Sequence, residues 1–405
     1  VIDDKSGVNG AYMYPALKRW SDTISGIPTQ CVQKSKAMYQ SNDKREKKMA
    51  SDPQYAAGLL SKINLKLGGE NAYASTPEDG PGMMHAGPRI RLMHDVEGTM
   101  VCGLDVHHAA VGSSKPSFAA VYATLDPHCV KSRTVVKEQL MVQSLQTTNG
   151  RPTPNAQTQR QEIVTSLEET MVTLLRAFCD EDAWQNGGRP PKRIIFFRDG
   201  VAHNQFAEVT EQEIRQIRQA CETVCGASTP QLIFIVTQMR TKARFATKEA
   251  PGNGKGGGKG KGGGKGGGKG GGEDWQNVPF GTIVDENVID AGNVNWYMVP
   301  HHALKGQARV SHYHVLENDA RISPAELKRF AFDLCHLFGR ATKVVSRPAH
   351  LYFAHLAAER GSMHSSDYRV AGGGWGETGS TGSHGSNSSS AAPVHPNLAK
   401  TVYYA

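Results

Sequence analysis

Two apolar segments of this chain run into aspartates: Thr99 to Val106 carries Asp105 near its end, and Arg193 to Arg198 closes on Asp199-Gly200. Short apolar runs bounded by turn residues read as strands. The spacing therefore predicts two strands that each finish on a carboxylate. Ser117 to Leu125 and Thr134 to Val142 predict two more strands between them, close enough to form hairpins. Ile163, Leu167, Met171, Leu174 and Phe178 recur at helical spacing, giving an amphipathic helix from about Glu162 to Cys179. A second helix is expected over Glu211 to Cys225, then a strand over Gln231 to Thr237. Extended pieces follow at 282–289, 294–299 and 310–316. Two helices, Pro324 to Phe338 and Ala349 to Arg360, close the pattern. Ser323 before Pro324 is a start signal, an N-cap hydroxyl with proline at the first helical position.

The order strand, strand, strand, helix, strand, helix, strand is that of a ribonuclease-H-like α/β fold with a mixed central sheet. There the first and fourth strands lie side by side, which would make Asp105 and Asp199 neighbours. Upstream, Tyr14 to Trp20 and Tyr55 to Leu67 read as helices, and Thr29 to Gln33 looks extended. Gly68-Gly69 ends the second helix as a C-cap would. This α/β piece is too short for a whole domain of its kind, and residues 70–88 read as a linker.

With 405 residues the chain has room for two or three domains. It starts at Val1 without Met, so a piece of a larger protein is expected. The start shows no signal-peptide pattern and no apolar run is long enough to span a membrane. No membrane partner is expected. Seven scattered cysteines without a CxxC pair suit a reducing compartment, and a cytoplasmic location is expected. Net charge is +8, but removing the five lysines of residues 252–272 brings it to +3. Nucleic-acid binding must then rest on placed residues, not on bulk charge. That Gly/Lys tract and the Gly/Ser-rich segment 371–392 are expected to be disordered. The apolar ending Thr401 to Tyr404 should dock back onto the body.

Two carboxylates held side by side repel unless a cation joins them. Paired strand-end aspartates therefore suggest a divalent-metal site, with oxygen ligands favouring magnesium, or alternatively manganese, over zinc. Two such ions can hold the attacking water and the leaving oxygen of a phosphodiester in line. The plainer alternative is that Asp105 and Asp199 cap strand ends. Periodicity does not choose among Glu162, Glu168 and Glu169 for a third carboxylate, and His355 beside apolar residues could equally be a satisfied core group.

Longer motifs add to this. Gly103-Leu104-Asp105-Val106-His107-His108, Lys115-Pro116-Ser117-Phe118-Ala119-Ala120 and Arg160-Gln161-Glu162-Ile163 come in order. They are followed by Arg193 to Val201, by Ser311-His312-Tyr313-His314-Val315-Leu316, by Leu334-Cys335-His336 and by Pro348 to Leu356. The series resembles the PIWI domain of eukaryotic Argonautes, most like the fungal branch. The resemblance implies a catalytic tetrad of Asp105, Glu162, Asp199 and His355. In it Asp105, Asp199 and His355 would hold metal, and Glu162 would be a loop-borne carboxylate that inserts on activation. It also implies a magnesium-dependent endoribonuclease that leaves a 3′ hydroxyl and a 5′ phosphate.

Tyr14 and Lys18 share one helix face, as do Lys62 and Lys66. Such pairs could grip a phosphate, or be an ordinary solvated face. Tyr14 with Lys18-Arg19, Thr29-Gln30-Cys31-Val32 and Lys62 to Gly69 resemble the second half of the family's Rossmann-like MID domain. By that resemblance Tyr14, Lys18, Gln30, Cys31, Lys62 and Lys66 bind the guide RNA 5′-phosphate. By the same resemblance Arg360 contributes from the PIWI side, Arg340 and Tyr352 line the first guide nucleotides, and the C-terminal Ala405 tucks beside the pocket. The implied organisation is a partial MID domain over 1–75, a linker over 76–95 and a PIWI domain over 96–405. The sequence departs from the family at Pro300-His301-His302-Ala303 and at Met239. The implied partners are a small guide RNA, a complementary target RNA and tryptophan-bearing silencing proteins. Besides slicing, two other readings remain: a non-cleaving silencing scaffold, and a guide-independent nuclease of the ribonuclease-H or resolvase type.

Overall fold

A computed structural model of the chain describes residues 9–32, 53–74, 90–94, 98–108, 116–139, 147–148, 151–152, 162–180, 188–248, 275–290, 292–303, 306–365 and 391–405. The Gly/Lys tract lies outside these residues, as do Gln33 of the segment expected to be extended and most of the Gly/Ser-rich segment.

Five of the predicted strands build the centre of the molecule. They are β1 (Thr99–His107), β2 (Ser117–Thr124), β3 (Ser132–Gln139), β4 (Arg193–Asp199) and β5 (Gln231–Gln238). With β6 (Thr282–Val284), β7 (Asn295–Val299) and β8 (Ser311–Asn318) they form one eight-stranded sheet, ordered β6-β7-β8-β5-β4-β1-β2-β3. β4 pairs parallel with both β1 and β5, whereas the remaining pairs are antiparallel. The sheet is mixed, with the first and fourth strands adjacent, as expected of a ribonuclease-H-like fold.

Ile194, Ile195, Phe196 and Phe197 are consecutive in β4 and all fully buried. Successive strand residues face opposite sides, so both faces of the sheet centre are covered. Phe196 stacks on Phe234 of β5, and Phe197 stacks on Phe330 of the helix Pro324–Leu334. That helix starts as predicted: the Ser323 hydroxyl accepts from the Glu326 N–H and donates to the Glu326 carboxylate.

Among the described residues, six helices of more than eight residues serve this sheet and its N-terminal extension: α1 (Asn9–Arg19), α2 (Pro53–Lys66), α3 (Leu167–Cys179), α4 (Arg215–Cys225), α5 (Pro324–Leu334) and α6 (Ala349–Gly361). α6 crosses β1, β2 and β3, and Gly103 is what lets it come close. A Cβ there would stand 2.5 Å from the carbonyl carbon of His350.

Two expectations need correction. The first long helix begins at Leu167, not Glu162. Gln216 of α4 accepts from Leu167 and Glu168 N–H, the amides that an extra turn would use, and donates to the Val164 carbonyl that would receive one of them, while Glu213 accepts from Val164 N–H. Among the described residues, 29–32 pair with no strand. The Thr29 carbonyl instead accepts from the ammonium groups of Lys18 and Lys66.

The C-terminal segment docks as predicted. Val402, Tyr403, Tyr404 and Ala405 are buried, and the Tyr404 hydroxyl lies 2.7 Å from that of Thr134 in β3.

Candidate active site and anion pocket

Strand register creates the first site. Leu104 of β1 lies opposite Arg198 of β4, so Asp105 and Asp199 follow side by side at the ends of a parallel pair. Both are buried, at 7% and 6% exposure. α6 supplies His355, whose Nδ1 is 2.6 Å from Asp105 Oδ2. Burial alone would raise the Asp105 pKa. The His355 hydrogen bond and the positive charges of Arg347 and Arg198 outweigh it and hold the carboxyl below its usual range.

Glu162 stands on the loop before α3. Its Oε1 is 3.0 Å from Nε2 of His108, whose Nδ1 is 2.8 Å from the Ser117 hydroxyl. Burial opposes the charge on Glu162, but the His108 contact, with help from Arg198 and Arg240, lowers its pKa. Glu168 and Glu169 face solvent, and Glu169 pairs with Lys137. Of the three glutamates left open by periodicity, Glu162 is thus the one turned inward. Arg198 is fully buried beneath these groups. It donates to Glu213 and to the backbone carbonyls of Glu162 and Asp199, which ties the loop to the end of β4.

The donor set suits a hard divalent ion: two buried carboxylates on adjacent strand ends plus an imidazole. One further cation intervenes. The Arg347 guanidinium contacts Asp199 directly. Among the described residues, Asp105, Asp199 and His355 do not form a group whose ligand atoms all fall within 4.8 Å. A different trio does: exposed His203 and Asp290 with buried His314. It could hold a metal, and burial and the neighbouring His312 and His203 keep the His314 imidazole neutral, with its pKa lowered to about 3.

The second site is a cavity of about 290 Å³ between the N-terminal helices and α6. Tyr14, Lys18, Gln30, Cys31, Lys62, Lys66, Arg340, Arg360 and Ala405 line it, and Tyr352 does not. The Tyr352 hydroxyl pairs with that of Ser346, and its ring lies under Arg347. Lys18 donates to the carbonyl and hydroxyl of Thr29. Lys66 donates to Gln30 Oε1 at 2.6 Å. Burial and Arg360 lower the Lys18 pKa to about 8. Burial, then Lys18, Arg360 and Arg340, lower that of Lys66 to about 7. Packed cations that repel one another in this way make a receptor for a compact anion. A larger cavity of about 350 Å³ lies under Val402, but its lining mixes Lys131, Arg133 and Lys400 with Glu70 and Asp180.

Asp22 organises the pocket from behind. It accepts from Arg360 at 3.0 Å, lies 3.2 Å from His364 Nε2 and also accepts from Ser21. Burial opposes its charge, yet these partners keep its pKa below the usual value. Its position four residues after Lys18 on one helical run was the available signal.

The family profile of the Piwi domain matches residues 9–366. The Schizosaccharomyces pombe protein argonaute is 28% identical over 353 residues, covering 86% of this chain and 34% of that protein. Protein argonaute 7 of Oryza sativa is 32% identical over 367 residues, covering 88% of this chain and 29% of that protein. The chain thus spans about a third of the length of these curated relatives. A crystal structure of Kluyveromyces polysporus Argonaute with a guide RNA superposes with a TM-score of 0.67 at 22% identity, over 97% of this chain and 40% of that one. Among the described residues, no helix is long and apolar enough to cross a membrane. The chain belongs to the Piwi-domain family, among the Argonautes.

Proposed function

We propose that this chain binds the 5′-phosphate of a small guide RNA and cleaves the RNA paired to that guide. The observation that carries the reading is the placement of Asp105 and Asp199 on neighbouring strand ends, with His355 against the first. These three residues would hold magnesium or manganese. A bound ion would supply charge stabilisation for a phosphodiester and lower the pKa of a water. The chain's own groups do the rest. β1 and β4 fix the carboxylates, α6 orients the imidazole, and His108 and Arg198 hold the Glu162 loop at the same end of the sheet. The cavity around Lys18, Lys66 and Arg360 offers a terminal phosphate several donors in a buried setting, with Tyr14 beside it to stack on a base. The fold in which these residues sit is shared with a solved Argonaute that carries a guide RNA.

The test is to load a short single-stranded RNA with or without a 5′-phosphate, then add labelled complementary RNA and magnesium. One cut site that depends on the guide and is lost in Asp199→Ala is the expected result. A non-cleaving silencing scaffold is the second reading, favoured by the Arg347 contact to Asp199. Tight guide binding with no cut in this chain and in the longer protein would select it. Cutting indifferent to the guide would refute both.

A further inference from the structure

Arg347 reaches the strand-end cluster from just outside the sequence motifs, which gave it no role. It sits immediately before Pro348 and α6, the helix that also carries His355. One helix and its lead-in thus reach both aspartates, His355 at Asp105 and Arg347 at Asp199. The Arg347 side chain is only 9% exposed, and its guanidinium lies 4.5 Å over the Tyr352 ring. Ser346 is anchored on both sides, by its carbonyl to the Ser311 hydroxyl and by its own hydroxyl to that of Tyr352. The base of the arginine is therefore fixed while its tip reaches the carboxylate.

The neighbouring arginine cannot play the same part. Arg198 is committed to Glu213 and to two backbone carbonyls. Among the described residues Arg347 pairs with no acid besides Asp199, and Asp105 feels its charge as well. Its Nε is buried without a hydrogen-bond partner among the described residues. A guanidinium that neutralises a carboxylate also withdraws that carboxylate from other cations.

We propose that Arg347 is a built-in counter-cation that holds Asp199 until a divalent ion takes it, and so sets the ion concentration at which the Asp105–Asp199 site assembles. This rests on the nuclease reading above. It makes Arg347 a positioning residue, acting through Asp199. When Asp199 is taken up by an ion, the stacked Tyr352 ring keeps the guanidinium beside the cluster. Its planar fork is there suited to a phosphate oxygen.

The experiment measures Mn²⁺ binding to the full chain without RNA, by calorimetry and by loss of the free-ion paramagnetic signal. It compares wild type, Arg347→Met, Arg347→Lys and Asp199→Ala, with thermal melting in chelator and in Mn²⁺. Methionine keeps the length and apolar stem without charge. Arg347→Met should bind Mn²⁺ about tenfold more tightly, since the ion no longer displaces a charged hydrogen-bond donor. It should also melt lower than wild type in chelator and gain more from Mn²⁺. Arg347→Lys, which keeps the charge but not the fork, should fall between, and it carries the test if the methionine variant does not melt cooperatively. Unchanged Mn²⁺ affinity in the arginine variants, with binding lost in Asp199→Ala, would overturn this inference and leave the nuclease reading standing. Mn²⁺ binding indifferent to Asp199→Ala would overturn the site itself, and the inference with it.

Discussion

Raising the pH from 6.5 to 9 should strip the anion pocket of much of its grip on a guide 5′-phosphate. The reason lies in two buried ammonium groups. Burial and the surrounding cations bring Lys66 to about 7, and burial with Arg360 brings Lys18 to about 8. A lowered ammonium pKa means that the charge is present below that value and lost as pH rises through it. A bound phosphate dianion replaces repulsion by attraction and returns both groups toward their ordinary value near 10.5, so binding above pH 7 takes up protons. At pH 6.5 the free pocket is already mostly charged. At pH 9 both groups are largely uncharged in the free pocket, and because part of the Lys66 shift comes from the Lys18 charge the two losses do not simply multiply. Together they should weaken binding on the order of a hundredfold. Fluorescence anisotropy with labelled 5′-phosphorylated and 5′-hydroxyl RNAs at constant ionic strength isolates the effect. The advantage of the phosphorylated RNA should collapse across the range while the 5′-hydroxyl RNA changes little. In Lys66→Met the phosphate advantage should start smaller and fall only about tenfold, the share of Lys18 alone. A phosphate advantage that stays within threefold from pH 6.5 to 9, or a Lys66→Met variant that keeps the wild-type slope, would refute the reasoning.

Other outcomes follow from the same contacts. Asp22→Ala leaves Arg360 and His364 without their buried acid, so urea unfolding should show a loss of about 3 kcal/mol near neutral pH. Because the Asp22 pKa is depressed, that deficit is full above the unfolded value of 3.8 and should shrink as pH falls below it. Gly103→Ala forces a methyl group against the His350 backbone. It should cost about 1–3 kcal/mol in urea unfolding and reduce target cleavage, because α6 carries His355 away from Asp105. Asp290→Ala tests which metal group matters: it should leave Mg²⁺-dependent cutting intact, whereas Asp199→Ala abolishes it. The reverse pattern would move the functional ion to His203, Asp290 and His314.

The sheet was legible because its strands are apolar runs of strand length, and the helices between them keep a 3.6-residue period. That Asp105 and Asp199 become neighbours needs only the strand order and a register of one residue past Leu104 and Arg198. Periodicity failed where a side chain replaced a backbone partner. Ile163 is buried and falls in phase with Leu167 and Met171, yet it lies before the helix. The amides that would extend the helix are satisfied by Gln216, 48 to 49 residues away in the chain. Thr29 to Val32 has strand-like composition but, among the described residues, no strand beside it, and the Thr29 carbonyl serves two lysines instead.

Charge pairing was the least legible layer, and the two sites show why. A hydrophobic pattern specifies which face of an element turns inward, but not which of 46 basic residues meets which acid. That depends on how closely two elements cross. Without the Gly103 approach, α6 could not bring His355 to Asp105 at one point along its length while its lead-in delivers Arg347 to Asp199. The last turn of the same helix carries Arg360, which reaches Asp22 and the Tyr14 hydroxyl in the anion pocket. One rigid element therefore touches both sites, with the strand-end cluster and the phosphate cavity on the same thirteen-residue helix. A displacement of α6 should alter guide-end binding and strand-end chemistry together, whereas loss of Asp22 should act on the first while sparing the contact between His355 and Asp105.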